Sequence, residues 1–424
     1  MIKFLFKGLI RDRSRSLMPL LTVIAGVMLT VLMYCWIRGT ETEIIRASAN
    51  FSTGHVKVMS RAYAENADQI PNDLSYFGVA KLVSEMKGKF GDVVWTPRIR
   101  FGGLLDIPDE YGETRSQGPV AGLAIDLLSP ASPEEGILNL SEALTGGRLP
   151  ERQNEILVSE EFARMLGVKV GETATLVSST MYGSMTTHNF IVVGTVRFGI
   201  SAMDRGAMIV DIADAQYALD MDDAAGEILG FFDDYSYRDK EAQNMAALFN
   251  AQYTDSGDEF APFMVALRDQ GGLAQTLDMA SSVSKVVIAI FVVVMSIVLW
   301  NAGLMGSLRR YGEIGVRLAI GEEKGHIYRT LIIEALMIGA IGSFFGTGLG
   351  IALSYYLQVH GLDISAVMSN ASMIISDVMR AQVTPTSFII GFAPGLLATF
   401  LGTAISGLGI YQRQTSQLAK EFES

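Results

Sequence analysis

Four apolar runs leave this chain few ways to fold: residues 17–38, 284–308, 330–357 and 386–411. A helix needs roughly 20 such residues to cross a bilayer, whereas a membrane β-strand needs only about 10. Within lipid the backbone must pair its own N–H and C=O groups, so runs of this length are expected as four transmembrane helices. The chain of 424 residues is 49% hydrophobic and 18% charged. That composition fits a membrane protein carrying a large soluble part, and residues 39–283 are the only stretch able to form one.

Basic residues set the expected orientation. Lys3, Lys7, Arg11, Arg13 and Arg15 precede the first run, Arg309, Arg310, Arg317, Lys324 and Arg329 separate the second from the third, and Arg413 and Lys420 follow the fourth. Four crossings put all three groups on one side, the cytoplasm, with residues 39–283 and 358–385 outside. Formal net charge is −12. Residues 39–283 carry about 18 Lys and Arg against about 36 Asp and Glu, near −18, which leaves the remainder near +6. An outer domain of that sign is no nucleic-acid partner.

Residues 1–16 place Ile2, Leu5, Phe6, Leu9 and Ile10 on one helical face and bases on the other. This reads as a cytoplasmic amphipathic helix lying on an acidic inner leaflet, or as an ordinary basic flank of the first span. Membrane lipids are a partner either way. Arg38 directly follows the last apolar residue of the first run, Ile37, with no A-x-A-like site, so an uncleaved anchor is expected. The single cysteine, Cys35, admits no disulfide. Leu32-Met33-Tyr34-Cys35 is a poor lipobox, because bulky Tyr34 stands where a small residue is needed, and a buried free cysteine is expected.

Periodicity divides residues 39–283 into a mixed α+β domain. Residues 40–50 extend the first span outward as a stalk. Strands are expected at 54–59, at 93–107 with an interruption at Gly102-Gly103, and at 118–128; a helix is expected at 75–90. Residues 129–133 are a loop by composition. Residues 155–158 form a strand, Ser159 caps a helix that Gly167 stops, and residues 173–178 and 189–196 form a hairpin. A strand at 207–210, a helix at 211–219, a strand at 228–232, a helix at 238–253 and a strand at 263–267 complete the domain. From Gly272 the pattern is helical into the second span, a second stalk without flexible-linker composition.

Catalytic and metal motifs are missing from these residues. No G-x-x-x-x-G-K-[ST] occurs, so the chain is not read as an enzyme and binds no nucleotide or other cofactor of its own. His55, His188, His326 and His360 are scattered, with no H-E-x-x-H. Met181 and Met185 flank the hairpin tip and read as ordinary exposed methionines. Gly342, Gly346 and Gly350, and likewise Gly391 and Gly395, recur at four-residue spacing, which lets membrane helices approach closely, within one chain or across a dimer.

Asn301, Met305, Arg309 or Arg310, then Glu313-Ile314-Gly315-Val316-Arg317-Leu318-Ala319-Ile320-Gly321, followed by Glu334 and a glycine-rich run, resemble the coupling segment of the FtsX-like ABC permease family. Independently, Gly147-Arg148-Leu149-Pro150, Asn154-Glu155-Ile156-Leu157-Val158-Ser159, residues 166–172 and residues 190–196 resemble the MacB-like periplasmic core domain. The layout is similar to the LolC and LolE type, with no fused ATPase. The resemblance implies an α-helical membrane protein of the bacterial inner membrane, with four transmembrane helices and a large extracytoplasmic α+β domain. It implies a permease that transmits motion driven by a separate cytoplasmic ABC ATPase dimer, which binds the ATP and Mg. A second permease copy or paralogue and a periplasmic adaptor or lipoprotein are the further partners implied. Residues 309–329 become the coupling helix, with Arg309, Arg310, Glu313, Ile314, Arg317 and Gly321 as docking residues. Glu313 and Arg317, four apart, share a helix face. The cargo implied is an amphiphile such as a lipoprotein or lipid; the alternative is an FtsX-like regulator that activates a periplasmic cell-wall hydrolase and transports nothing.

Overall fold

A computed structural model describes residues 13–198, 201–253, 257–308, 311–363 and 378–412. The expected interfacial helix at 1–16 falls almost wholly outside these residues, as do Arg309, Arg310, much of the outer loop 358–385 and nearly all of the tail 412–424. The chain divides into two compact units. Together they comprise four helices long and apolar enough to cross a membrane and a large α+β domain.

The first unit comprises Met1–Glu43, Met279–Ser365 and Val378–Ser424. Its helices among the described residues are α1 (Arg13–Ser48, continuing past this unit), α6 (Leu273–Leu308, beginning before it), α7 (Tyr311–Ala319), α8 (Lys324–His360) and α9 (Pro385–Gln412). At 1.5 Å per residue the 36 residues of α1 and of α6 reach about 54 Å, well beyond an apolar layer of about 30 Å. Helix α8 begins at Lys324, six residues before the expected span, and α9 runs unbroken through Pro394. Val23, Val27, Val31, Tyr34 and Cys35 of α1 are buried with Ala381 and Ala398. Cys35 is free.

The glycine stripe of α8 is the seat of α1. A Cβ on Gly342 would lie 2.6 Å from Val23 Cγ1, on Gly346 2.8 Å from Ile24 O and from Val27 Cβ, and on Gly350 2.8 Å from Val31 Cβ. Gly391 and Gly395 of α9 face the same valines together with Thr347 and Ser343 of α8. The small residues therefore serve packing within one chain, at a depth that no larger side chain permits.

The second unit, whose described part lies within Ile44–Asp278, is built on a ten-stranded sheet. In chain order the strands are β1 (Val56–Ser60), β2 (Tyr76–Phe77), β3 (Val93–Pro108), β4 (Thr114–Ile125), β5 (Leu144–Gly147), β6 (Glu155–Ser159), β7 (Thr173–Ser179), β8 (Met185–Val196), β9 (Ala207–Asp211), β10 (Ala224–Ala225), β11 (Glu227–Phe232) and β12 (Pro262–Ala266). The main sheet runs β12-β1-β11-β3-β4-β9-β6-β8-β5, with β7 pairing β3 and β8, while β2 and β10 pair separately. Among the described helices of seven residues or more, four pack on it: α2 (Val79–Lys89), α3 (Glu160–Leu166), α4 (Ile212–Ala218) and α5 (Asp239–Asn250).

Local signals hold well here. The Ser159 hydroxyl accepts the Phe162 N–H at the start of α3, and Gly167, at φ +65, ends that helix. The expected break at Gly102-Gly103 is corrected, because β3 runs through it with β4 on one side and β7 on the other. A Cβ on Gly103 would stand 2.7 Å from Val177 O, so the glycine admits β7 rather than ending the strand. Helix α2 starts later than expected, at Val79, since Tyr76 and Phe77 pair with β10. Met181 is 4% exposed and belongs to the core, contrary to the expectation of two exposed methionines; Met185 is 82% exposed.

Candidate coupling segment and outer domain

Helix α7 is a short element between two membrane spans, and its end is closed by backbone hydrogen bonds. Glu322 N–H donates to Arg317 O (3.0 Å) and Gly321 N–H to Leu318 O (3.1 Å), with Gly321 at φ +98. Those two bonds around a left-handed glycine satisfy carbonyls that a helix end leaves open. Two residues on, α8 begins with Glu323 as its N-cap residue. Of residues 309–329, expected as one cytoplasmic coupling segment, the described part, 311–329, is thus a helix, a tight turn and the first turns of the next helix.

Gly315 is buried, whereas Arg317 is exposed. Val316 is 57% and Ile320 81% exposed, four residues apart and so on one face. Such a stripe beside a guanidinium combines apolar area with a fixed charge, as docking surfaces do. Glu313 and Ile314 lie on the same helix. Val316 and Ile320 add to the expected docking residues a pair whose four-residue spacing is legible in the sequence but whose exposure is not.

In the outer domain the Gly147–Pro150 and Asn154–Ser159 motifs meet. Arg148 grips both carboxylate oxygens of Glu155, with Nη1 to Oε2 at 2.7 Å. The same Oε2 accepts the backbone N–H of Glu151 (2.8 Å) and Arg152 (3.2 Å). These bonds, the Arg148 pair first, hold the Glu155 carboxyl down at about 2. Gly147, at φ +78, abuts Val193 O, and a Cβ on Gly194 would stand 2.5 Å from Arg148 O. The motif is a strand crossing locked by an ion pair.

Charge also lies deeper. Lys57 Nζ meets Glu227 Oε1 at 2.8 Å with both side chains buried, and burial pushes the lysine below its ordinary value. His55 is buried as well and falls to about 4, chiefly by desolvation. His188 bonds Asn154 Oδ1 (2.6 Å), His326 lies 3.8 Å from Glu322, and His360 stacks on Tyr356. Among the described residues no three His, Cys, Asp or Glu gather as metal ligands. A groove of about 870 Å³ opens beside the β7–β8 turn, lined by Ile70, Phe77, Phe101, Met181, Tyr182 and Phe260 among others.

The sequence matches the family profile described as the MacB-like periplasmic core domain over residues 16–249 and that of the FtsX-like permease C-terminal over residues 285–415. It is 24% identical to the lipoprotein-releasing system transmembrane protein LolC of Xylella fastidiosa, over 59% of this chain and 59% of that one. It is 33% identical to the macrolide export ATP-binding/permease protein MacB of Campylobacter fetus, over 24% of this chain and 15% of that one. The chain therefore spans less than two thirds of the length of these relatives. The crystal structure of the periplasmic region of MacB from Actinobacillus actinomycetemcomitans aligns at TM-score 0.37 and 11% identity, over 54% of this chain and 94% of that one.

Proposed function

From the premise that this chain belongs to the family of ABC transporter permeases with a MacB-like periplasmic core domain, we propose that it is a mechanotransmitting subunit driven by a separate ATPase. The observation that carries the reading is α7, which presents Val316, Arg317 and Ile320 to solvent between two spans and is closed by Gly321. Nucleotide and Mg bind in the ATPase dimer, and this chain contributes the docking helix. Arg309, Arg310, Glu313 and Ile314 complete that surface.

Work leaves through the helices. Both α1 and α6 are continuous over lengths that exceed the bilayer, and a helix transmits a push that a Gly/Ser linker absorbs. Basic residues at 309–329 face an inner-membrane cytoplasmic side, and the acidic domain lies in the periplasm. The partner permease is a second copy or a paralogue, with a periplasmic adaptor or lipoprotein beyond it. The cargo is an amphiphile such as a lipoprotein or lipid, in keeping with the LolC likeness and with a groove whose lining mixes aromatic and polar groups.

The test is reconstitution of the full chain with its co-purifying ATPase in liposomes holding a fluorescent lipoprotein. ATP-dependent release that Ile320→Glu abolishes supports the reading. Turnover without release, joined to activation of a cell-wall hydrolase, points instead to an FtsX-like regulator. If no ATPase co-purifies, the reading fails.

A further inference from the structure

The outer end of α1 does not finish in an ordinary cap. Beyond Ser48 the backbone widens into a π-helical turn, Ala49–Thr53, which Gly54 closes at φ +59. Ala49 and Thr53 are buried. The last carbonyls of a helix have no partner inside it, and buried ones must find donors elsewhere. Here side chains distant in sequence supply them. Arg98 Nη1 donates to Asn50 O (2.7 Å) and Phe51 O (3.4 Å), Arg100 Nη2 to Phe51 O (3.1 Å) and Gln270 Nε2 to Thr53 O (3.1 Å).

The rest of the Arg98 fork is spent on Glu134. Nε reaches Oε1 at 2.8 Å and Nη2 reaches Oε2 at 2.7 Å, and both side chains are 0% exposed. Thr96 Oγ1 donates to Oε1 at 2.6 Å. Asn50 Nδ2 donates to Ile137 O (2.7 Å), at the end of the helical turn Glu134–Ile137. Gln270 stands just before α6, so the chain's two passages from this domain into the long helices meet at one point. Beneath them Ala49, Ile137, Leu229, Phe231 and Leu267 form an apolar floor, joined by Ile45, Leu273 and Leu277.

A buried ion pair is a poor source of stability, since apolar residues of equal volume do as well or better. What it adds is direction. A planar guanidinium with both edges committed fixes a backbone turn relative to a strand in one geometry only. π-helical turns recur at functional sites for the same reason, as their extra residue marks a backbone held against its own preference.

We propose that Arg98 and Glu134 are a positioning pair that welds the π-helical end of α1 to strand β3, so that displacement of the helix moves the sheet as one body. The proposal rests on the mechanotransmission reading above. Its failure is separable from that reading. The full chain and its ATPase are placed in lipid nanodiscs, and amide exchange across β3 and the β7–β8 hairpin is compared with and without ATP plus vanadate. Wild type shows a nucleotide-dependent difference. Arg98→Met with Glu134→Leu, which keeps the volume apolar, retains ATP turnover and loses that difference. If the double variant does not fold, Arg98→Lys replaces it, keeping the charge beside Glu134 without the fork, and the difference again shrinks.

A pair with a purely structural role lowers the melting temperature and leaves the nucleotide-dependent difference intact, which overturns the proposal while mechanotransmission stands. A wild type that shows no difference overturns both.

Discussion

Replacing His55 with asparagine should flatten the acid side of the protein's stability profile. His55 is 3% exposed, its ring 5.2–5.7 Å from those of Phe231, Phe232 and Tyr237. Its Nδ1 accepts the Phe232 N–H at 3.0 Å, so the ring is neutral at that atom, and a second proton must break the bond. Desolvation lowers its pKa from 6.5 to about 4. The unfolded chain takes up the proton near pH 6.5 and the folded one only near 4. Stability contributed by the neutral ring is therefore complete above pH 6.5 and is lost as pH falls toward 4. Integrated over that window the loss is about 3 kcal/mol, of which about 2 kcal/mol has gone by pH 5. For a domain of this size that is about 4–8 °C in melting temperature. The assay is thermal unfolding of the full chain in nanodiscs from pH 7.5 to 5, followed by the fluorescence of tryptophans that include buried Trp95. Asparagine keeps an acceptor for Phe232 and does not titrate. Carboxylates elsewhere shift both proteins alike. Wild type should lose about 4–8 °C more than His55→Asn; parallel curves refute the reasoning.

Gly346→Val should destabilise the membrane unit by about 1–3 kcal/mol, because its Cβ meets Ile24 O and Val27 Cβ at 2.8 Å, while Gly348→Ala, with nothing within 4 Å, should be silent in the same melting experiment. Glu155→Gln should cost about 1–2 kcal/mol at neutral pH, a figure reduced for the solvent exposure of Arg148. Since the Glu155 carboxyl is held down at about 2, its contribution is present above 4.5 and lost toward pH 2, so urea midpoints of variant and wild type should converge in acid. Ile320→Glu should reduce the amount of ATPase retained on affinity-purified permease without changing the melting temperature, its side chain being 81% exposed. Equal retention would remove α7 from the docking surface.

What could be read along the chain is what acts within a few residues. Apolar length announced the four spans, because lipid requires every backbone group to be paired inside the helix. Ser159 and Gly167 bounded α3 and Gly321 bounded α7, because caps are made from neighbours one turn away. The GRLP and NEILVS motifs identified a domain type but hid their reason, a guanidinium closing on a carboxylate seven residues along while a strand passes at Gly194.

Only the folded chain decided the rest. Arg98 and Glu134 are 36 residues apart, and Gln270 and Thr53 are 217 apart; nothing in local spacing pairs them, since the sheet order places β11 beside β3 and β1 beside β12. Gly102-Gly103 looked like a break and proved to be where β7 enters, and Met181 looked like a loop residue and proved to be core. The glycine stripe of α8 promised close packing without naming the partner, which became α1 once Val23, Val27 and Val31 filled the notches. A residue's periodicity is set by its own helix or strand, whereas its partner is set by which surfaces the packed chain brings together.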